Sequence, residues 1–239
     1  MERLIEYINQ ITNHAASDQL TEQFETYYNM LIEKNKVMNL TAITERDEVV
    51  LKHLIDSLAV AEAFPDIKNS GMKVLDLGTG AGFPGVPLSL VFPQLKMTLF
   101  DSLNKRILFL QDVIRELSMQ YCTAVHGRAE EAARKKDMRE QYDLVVSRAV
   151  ASLPVLSEYC IPFVKPGGYF ISYKTSEIED ELKTAEHAIQ LLGGSLDRVE
   201  KIPLPESDIL RSFVIIKKEK QTDKAYPRKA GTASRNPLS

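Results

Sequence analysis

The residues best placed for chemistry sit around one glycine turn. Val74-Leu75-Asp76-Leu77 reads as a strand that runs into Gly78-Thr79-Gly80-Ala81-Gly82-Phe83-Pro84-Gly85, with a helix starting near Pro84. Glycines at such a turn let the backbone approach a ligand closely. In an open α/β sheet the turn lies at the carboxyl edge, where ligands bind. Gly80, Gly82 and Gly85 also spell G-x-G-x-x-G, a dinucleotide pattern. Two features favour another occupant. Asp76 ends the strand, where a carboxylate can meet the ammonium of an amino acid moiety. Pro84 lacks the N–H that a pyrophosphate would want at the helix start.

Further along, Asp101 closes the apolar run Thr98-Leu99-Phe100. A carboxylate there can hold two ribose hydroxyls, whether of NAD or of S-adenosylmethionine; it can equally cap the next helix. Gly127-Arg128-Ala129-Glu130-Glu131 follows the third apolar run, where an adenine would lie if the ribose is on Asp101. Its acidic cluster also suits a helix start. Arg148 ends the fourth run and can orient an anion or pair with a carboxylate.

These residues need a scaffold. Before residue 72 the chain reads as helical: a short helix at Glu2–Ile11, a longer one at Asp18–Met38 and a third at Glu45–Phe64. In the second, Leu20, Phe24, Tyr27, Tyr28, Leu31, Ile32 and Met38 share one face of a 3.6-residue period, and Ser17 or Asp18 can cap it. After Pro65, strands at Lys73–Leu77, Lys96–Phe100, Cys122–Val125, Leu144–Ser147, Tyr169–Ser172, Arg198–Ile202 and Phe213–Ile216 alternate with helices at Leu103–Leu117, Leu153–Val164 and Glu177–Leu192. Lys165-Pro166-Gly167-Gly168 reads as a tight turn. The alternation predicts an α/β fold with a parallel sheet covered on both faces. Pro203–Leu210 is too short for a crossover helix, so the last two strands form an antiparallel hairpin. The expected division is a helical extension over 1–66, a Rossmann-like domain over 67–219 and a basic tail over 220–239.

The chain has 239 residues, 44% hydrophobic and 26% charged, enough for a sizeable core without disulfide or metal staples. Its net charge of −3 hides an asymmetry. Residues 217–239 carry seven basic and two acidic residues, net +5, and residues 1–216 carry 23 and 31, net −8. A basic tail on an acidic body points to a polyanionic partner, or to a solvated terminus. The two cysteines have no zinc spacing. No basic leader and no apolar run of 18 residues is present, so a cytoplasmic protein with no membrane partner is expected.

Asp76 with its glycine turn, Asp101, Arg128-Ala129-Glu130 and Lys165-Pro166-Gly167-Gly168 resemble the motif series of class I S-adenosylmethionine-dependent methyltransferases. Asn39-Leu40-Thr41, His53-Leu54-Ile55-Asp56-Ser57-Leu58, Gly78 to Gly85, Asp101-Ser102, Ser147-Arg148-Ala149 and the tail Tyr226-Pro227-Arg228-Lys229-Ala230-Gly231 with Pro237-Leu238 are similar to the bacterial small-subunit rRNA guanine-N7 methyltransferase family, RsmG or GidB. The resemblance spans nearly the whole chain in order and spacing. Ala230 and Ala233 depart from it where prolines are expected.

The resemblance implies a Rossmann-like class I fold, mostly parallel and seven-stranded, with an antiparallel C-terminal hairpin. It implies S-adenosylmethionine as cofactor, leaving as S-adenosylhomocysteine, on Gly78, Phe83, Ala129, Glu130 and Arg148. Asp76, Gly80, Gly82 and Asp101 join them by general class I logic. The implied substrate is a guanine in the 530 loop of 16S rRNA, presented by the RNA or the 30S subunit; no obligate protein partner is evident and a monomer is expected. Guanine N7 carries a free lone pair and no proton, so attack needs alignment and no general base. Asn39, His53 and Arg148 are the substrate-side candidates, although His53 also suits an amphipathic helix face. Lys174, Arg228, Lys229 and Arg235 are the candidate phosphate contacts. On this reading, deleting 220–239 lowers RNA methylation and spares cofactor binding. The alternatives are a small-molecule methyltransferase on the same fold and a nucleoside- or NAD-binding protein.

Overall fold

In the computed structural model, which describes residues 1–68, 71–148, 150–175 and 177–238, seven strands form one sheet. They are β1 (Lys73–Leu77), β2 (Lys96–Asp101), β3 (Cys122–His126), β4 (Tyr142–Arg148), β5 (Val164–Lys174), β6 (Gly194–Pro203) and β7 (Leu210–Lys218). Their order is β3-β2-β1-β4-β5-β7-β6. The first five are parallel; β7 runs antiparallel between β5 and β6. The order reverses between β1 and β4, so their carboxyl ends flank the crevice where ligands of open α/β sheets bind. Asp76, Asp101 and Arg148 thus reach the same edge from three strands.

The central strands are buried on both faces, as parallel strands covered by helices must be. On one face lie Gly85–Val91, Asn104–Glu116 and the helices that precede β1; the other is covered by Leu153–Cys160 and Glu179–Leu191. Ser17 caps Asp18–Met38 by accepting from the Leu20 N–H at 3.2 Å. Its apolar stripe buries Phe24, Tyr27 and Leu31 completely. Each such burial is worth about 1.5–3 kcal/mol, so this helix is fixed to the sheet. It also reaches the glycine turn, because the Tyr27 hydroxyl donates to Ala81 O at 2.8 Å.

Two expectations are corrected. The continuous helix over Glu45–Phe64 is broken. Arg46–Val49 passes into a π-helical stretch, Val50–Ile55, followed by the short helices Asp56–Leu58 and Val60–Ala63. Widened turns of this kind recur at functional sites, and this one carries His53. The turn expected at Lys165-Pro166-Gly167-Gly168 belongs instead to β5, whose pairing with β4 shifts register between Tyr142 and Leu144. Gly167 takes up the irregularity at φ 86°. Ala149, part of the Ser147-Arg148-Ala149 motif, lies outside the described residues.

The tail is built into the protein. Arg139 donates to Thr222 O and Tyr226 O at 2.7 and 2.9 Å, and Glu140 accepts from the Thr222 N–H at 2.7 Å. Lys218 is buried, with Nζ donating to Ile161 O and Leu192 O at 3.1 and 3.2 Å. Its positive charge therefore faces inward. Among the described residues no helix is long and apolar enough to cross a membrane.

Candidate active site

Asp76 is fully buried at the end of β1. Oδ2 accepts from the Thr79 hydroxyl at 2.6 Å and the Gly85 N–H at 2.8 Å. Oδ1 is buried with no partner among the described residues. An orphaned carboxylate oxygen is costly unless something fills its place. Burial pushes the Asp76 pKa up to about 7, against the lowering effect of the Thr79 and Gly85 bonds and of the Arg148 charge. The arrangement fits a cationic donor such as an ammonium, which would satisfy Oδ1 and restore the ionised form.

The turn after Asp76 requires glycine at its first position. Gly78 has φ 76°, and a Cβ there would lie 2.4 Å from the Val150 side chain. Gly78 and Thr79 both donate to Phe100 O, at 2.8 and 3.1 Å, which ties the turn to β2. At Gly82, φ 110°, a Cβ would lie 2.8 Å from the Tyr27 hydroxyl. Gly80 instead gives its N–H to Asp101 Oδ2 at 3.0 Å.

Asp101 is not the cap that the sequence offered: the helix Asn104–Glu116 has Leu103 at its N-cap and no side-chain cap bond. Asp101 Oδ1 accepts from the Leu103 N–H at 2.9 Å just ahead of that helix, and Oδ2 also accepts from Arg106 at 3.2 Å. Two carboxylate oxygens offer about four acceptor positions, so capacity remains for a hydroxyl. Asp101, Gly78, Ala129, Glu130, Tyr159 and Ser234 are among the residues around a cavity of about 200 Å3. Glu130 is buried on the turn after β3, and its Oε1 accepts from the Gly231 N–H at 2.9 Å.

Beyond Phe83 lies a second cavity of about 440 Å3, lined by Lys52, His53, Asp56, Arg148, Lys174 and Arg211 among others. Asp56 is buried at its base. Its Oδ2 accepts from Arg148 at 2.7 Å and its Oδ1 from Arg211 at 2.6 Å. One carboxylate between two guanidiniums leaves a net positive wall. Arg148 also lies over the Phe83 ring, 5.2 Å from its centroid. His53 stacks on Phe83 at 4.6 Å and 24°. Its Nε2 lies 2.7 Å from the Thr41 hydroxyl and its Nδ1 3.1 Å from Lys52 O. At Nδ1 the Lys52 carbonyl can only accept and Arg148 Nη2, 3.4 Å away, can only donate; the closer carbonyl places the proton on Nδ1, and Nε2 takes the Thr41 hydrogen. Burial, then the Arg148 charge, pushes the His53 pKa down to about 4. The ring is neutral near pH 7, with both nitrogens engaged.

Phe83, His53 and Arg148 therefore meet at one wall, with Asp76 behind it. Asn39 does not join them. It is the exposed C-cap of Asp18–Met38 at φ 50°, and its N–H donates to Asn35 O. What its motif supplies is Thr41, held by Asn35 through two bonds of 2.9 Å. Lys174 lines the second cavity but is already paired, with Ala151 O at 2.9 Å and Glu181 at 2.8 Å. Arg228 lies away from it, in a fork on the buried Glu158 with contacts of 2.6–3.1 Å. Its guanidinium is partly exposed and, like Lys174, already paired with a carboxylate. Lys229 and Arg235 are exposed. The sequence reading missed Arg211, Tyr27 and Glu158; the first two act across separations of 155 and 54 residues that no local motif encodes.

A family model described as "GidB: rRNA small subunit methyltransferase G" matches residues 20–210. The chain belongs to the GidB family. The ribosomal RNA small subunit methyltransferase G of Desulforamulus reducens is 53% identical over 218 residues, 91% of this chain and 90% of that protein. The protein of the same description from Lachnoclostridium phytofermentans is 52% identical over 217 residues, covering 91% and 89%. Similarity among solved structures is confined to the fold. A putative sarcosine dimethylglycine methyltransferase from Galdieria sulphuraria superposes with TM-score 0.54 at 14% identity, over 74% of this chain and 89% of the other. M. jannaschii TYW2, solved in complex with AdoMet, gives 0.52 at 14% identity, over 68% and 76%. At half identity over nine-tenths of both chains, the GidB relatives are matched from the helices before β1 to the C-terminal strands.

Proposed function

We propose that the protein is an S-adenosylmethionine-dependent methyltransferase that acts on N7 of a guanine in the 530 loop of 16S rRNA. Family membership supports the reaction class and the RNA. The single observation that carries the cofactor assignment is the unpartnered Oδ1 of buried Asp76. Asp76 takes the ammonium, Asp101 the ribose hydroxyls, and Ala129 and Glu130 border the purine. The bound cofactor supplies a methyl group activated on a sulfonium sulfur.

The chain's own residues then have one task, which is to align. Guanine N7 would accept that methyl group with its lone pair and has no proton to lose, so the chain's residues need only hold the guanine in line. No base is needed, and among the described residues the carboxylates and imidazole of the second cavity are engaged: Asp56 by two arginines, Glu181 by Lys174 and the Leu153 N–H, and His53 at both nitrogens. Holding the reacting atoms in line can supply most of the rate. Phe83 and neutral His53 form an uncharged wall suited to a base that becomes cationic. Arg148 is neutralised by Asp56 and so opposes that charge less than a free arginine would. Lys52 and Arg211 line the second cavity, paired with Glu48 and Asp56 as Lys174 is with Glu181; exposed Lys229 and Arg235 are the candidates for phosphates.

The product tests this directly. Incubating the protein with labelled S-adenosylmethionine and small subunits from cells lacking it gives one labelled 7-methylguanosine, mapped to the 530 loop by reduction and aniline cleavage. Label on an exocyclic amine or on a metabolite instead overturns the reading.

A pH dependence follows from Asp76. Its raised pKa means that below about 7 an ammonium ligand must displace a proton. Affinity therefore rises as the pH goes from about 5.5 to 7 and levels off above. Calorimetry in buffers of different ionisation enthalpy reads the released proton. Affinity that falls over this range contradicts an ammonium at Asp76.

A further inference from the structure

The tail's placement conflicts with its reading as an RNA handle that the cofactor ignores. Gly231 and Ser234 line the same cavity of about 200 Å3 as Gly78, Asp101 and Glu130. The contact is built, not incidental. Buried Glu130 accepts from the Gly231 N–H at 2.9 Å across 101 residues of sequence. Gly231, at φ 77°, turns the chain into the single helical turn Thr232–Arg235, which buries Ala233 and carries Ser234 at the cavity. Just upstream, the Arg228 backbone N–H donates to Glu158 Oε1 at 2.7 Å while its guanidinium grips both oxygens. Glu158 precedes Tyr159, which lines the cavity from the helix Leu153–Cys160. The same helix thus anchors the tail and forms the facing wall.

We propose that residues 228–235 are a wall of the nucleoside pocket and position the cofactor, with the Arg228–Glu158 fork as their anchor. This rests on the methyltransferase reading above, and it gives the tail a role before RNA arrives. A bidentate pair on a buried carboxylate is strong, and removing the partly exposed arginine leaves Glu158 buried without its counter-charge. The anchor therefore sets the wall's position. By linkage, a cofactor that touches the wall must hold the tail in place as strongly as the tail holds the cofactor.

The test uses the full chain and S-adenosylhomocysteine. Ser234 is exposed to solvent beside the cavity, so Ser234→Leu leaves the core alone and intrudes on the pocket. Calorimetry gives an affinity at least about 10-fold weaker for Ser234→Leu. Arg228→Ala weakens it about 5- to 20-fold. Lys224→Ala, an exposed tail cation away from the cavity, leaves it unchanged. In the methylation assay the Ser234→Leu loss falls on the cofactor KM rather than on kcat. Saturating S-adenosylhomocysteine slows tryptic cleavage after Lys229 in the wild type. Equal affinity in Ser234→Leu, with cleavage indifferent to the ligand, overturns the proposal. A wild type that binds no S-adenosylhomocysteine overturns the methyltransferase reading itself, so the two failures are distinguishable.

Discussion

Gly78→Asp abolishes cofactor binding, with an affinity loss of at least about 100-fold by calorimetry. Three effects act in the same direction. The backbone at φ 76° costs a non-glycine residue about 1–2 kcal/mol. The new Cβ must displace Val150, whose side chain is 2.4 Å away. The added carboxylate enters a pocket that already holds Asp101 and Glu130, and it repels the cofactor's own carboxylate. Val150 is 41% exposed and can move, so the fold survives with a modest loss of stability. Gly78→Ala separates the causes: it keeps the strain and removes the charge, and it retains measurable binding. Unchanged affinity in Gly78→Asp would remove the glycine turn from the site.

Asp56→Asn has the second large effect, on both stability and turnover. The side chain is 1% exposed and accepts from Arg148 and Arg211 at once. Removing one partner of a buried ion pair costs about 3–5 kcal/mol. The arginines border a cavity and water can reach them, so the lower end applies. For a chain of this size that is a fall of about 6–12 °C in thermal midpoint. Methyl transfer falls by about two orders of magnitude, because Arg148 loses the bond that fixes it over Phe83 and beside His53. A midpoint and a rate both within error of wild type would show that Asp56 organises neither.

Much of the scaffold was legible because it follows local periodicity. The stripe from Leu20 to Met38 gave the bounds of its helix, Asp18–Met38, and the first four β-strands were found within two residues of their ends, whereas β5 and β6 begin five and four residues earlier than expected. Features that rest on spacing or distance were not. Val49, Val50, Leu54 and Ile55 are buried as two pairs five residues apart, the spacing of a π-turn, yet the segment reads as ordinary amphipathic helix. Asp76, Gly78 and Asp101 announce themselves because they end strands at the carboxyl edge. Asn39 misleads: its motif is real, but the residue caps a helix and Thr41 is the one that reaches His53. Arg228 misleads in another way. Composition sees a cation in a basic tail; only the fold brings it to Glu158, 70 residues away in sequence.

Diffraction from crystals grown with S-adenosylhomocysteine tests the core of the account. The ammonium is expected within hydrogen-bond distance of Asp76 Oδ1 and the ribose hydroxyls at Asp101, with the sulfur facing the wall formed by Phe83, His53 and Arg148. A nucleoside bound elsewhere, or a nicotinamide dinucleotide displacing it from the glycine turn, would contradict it.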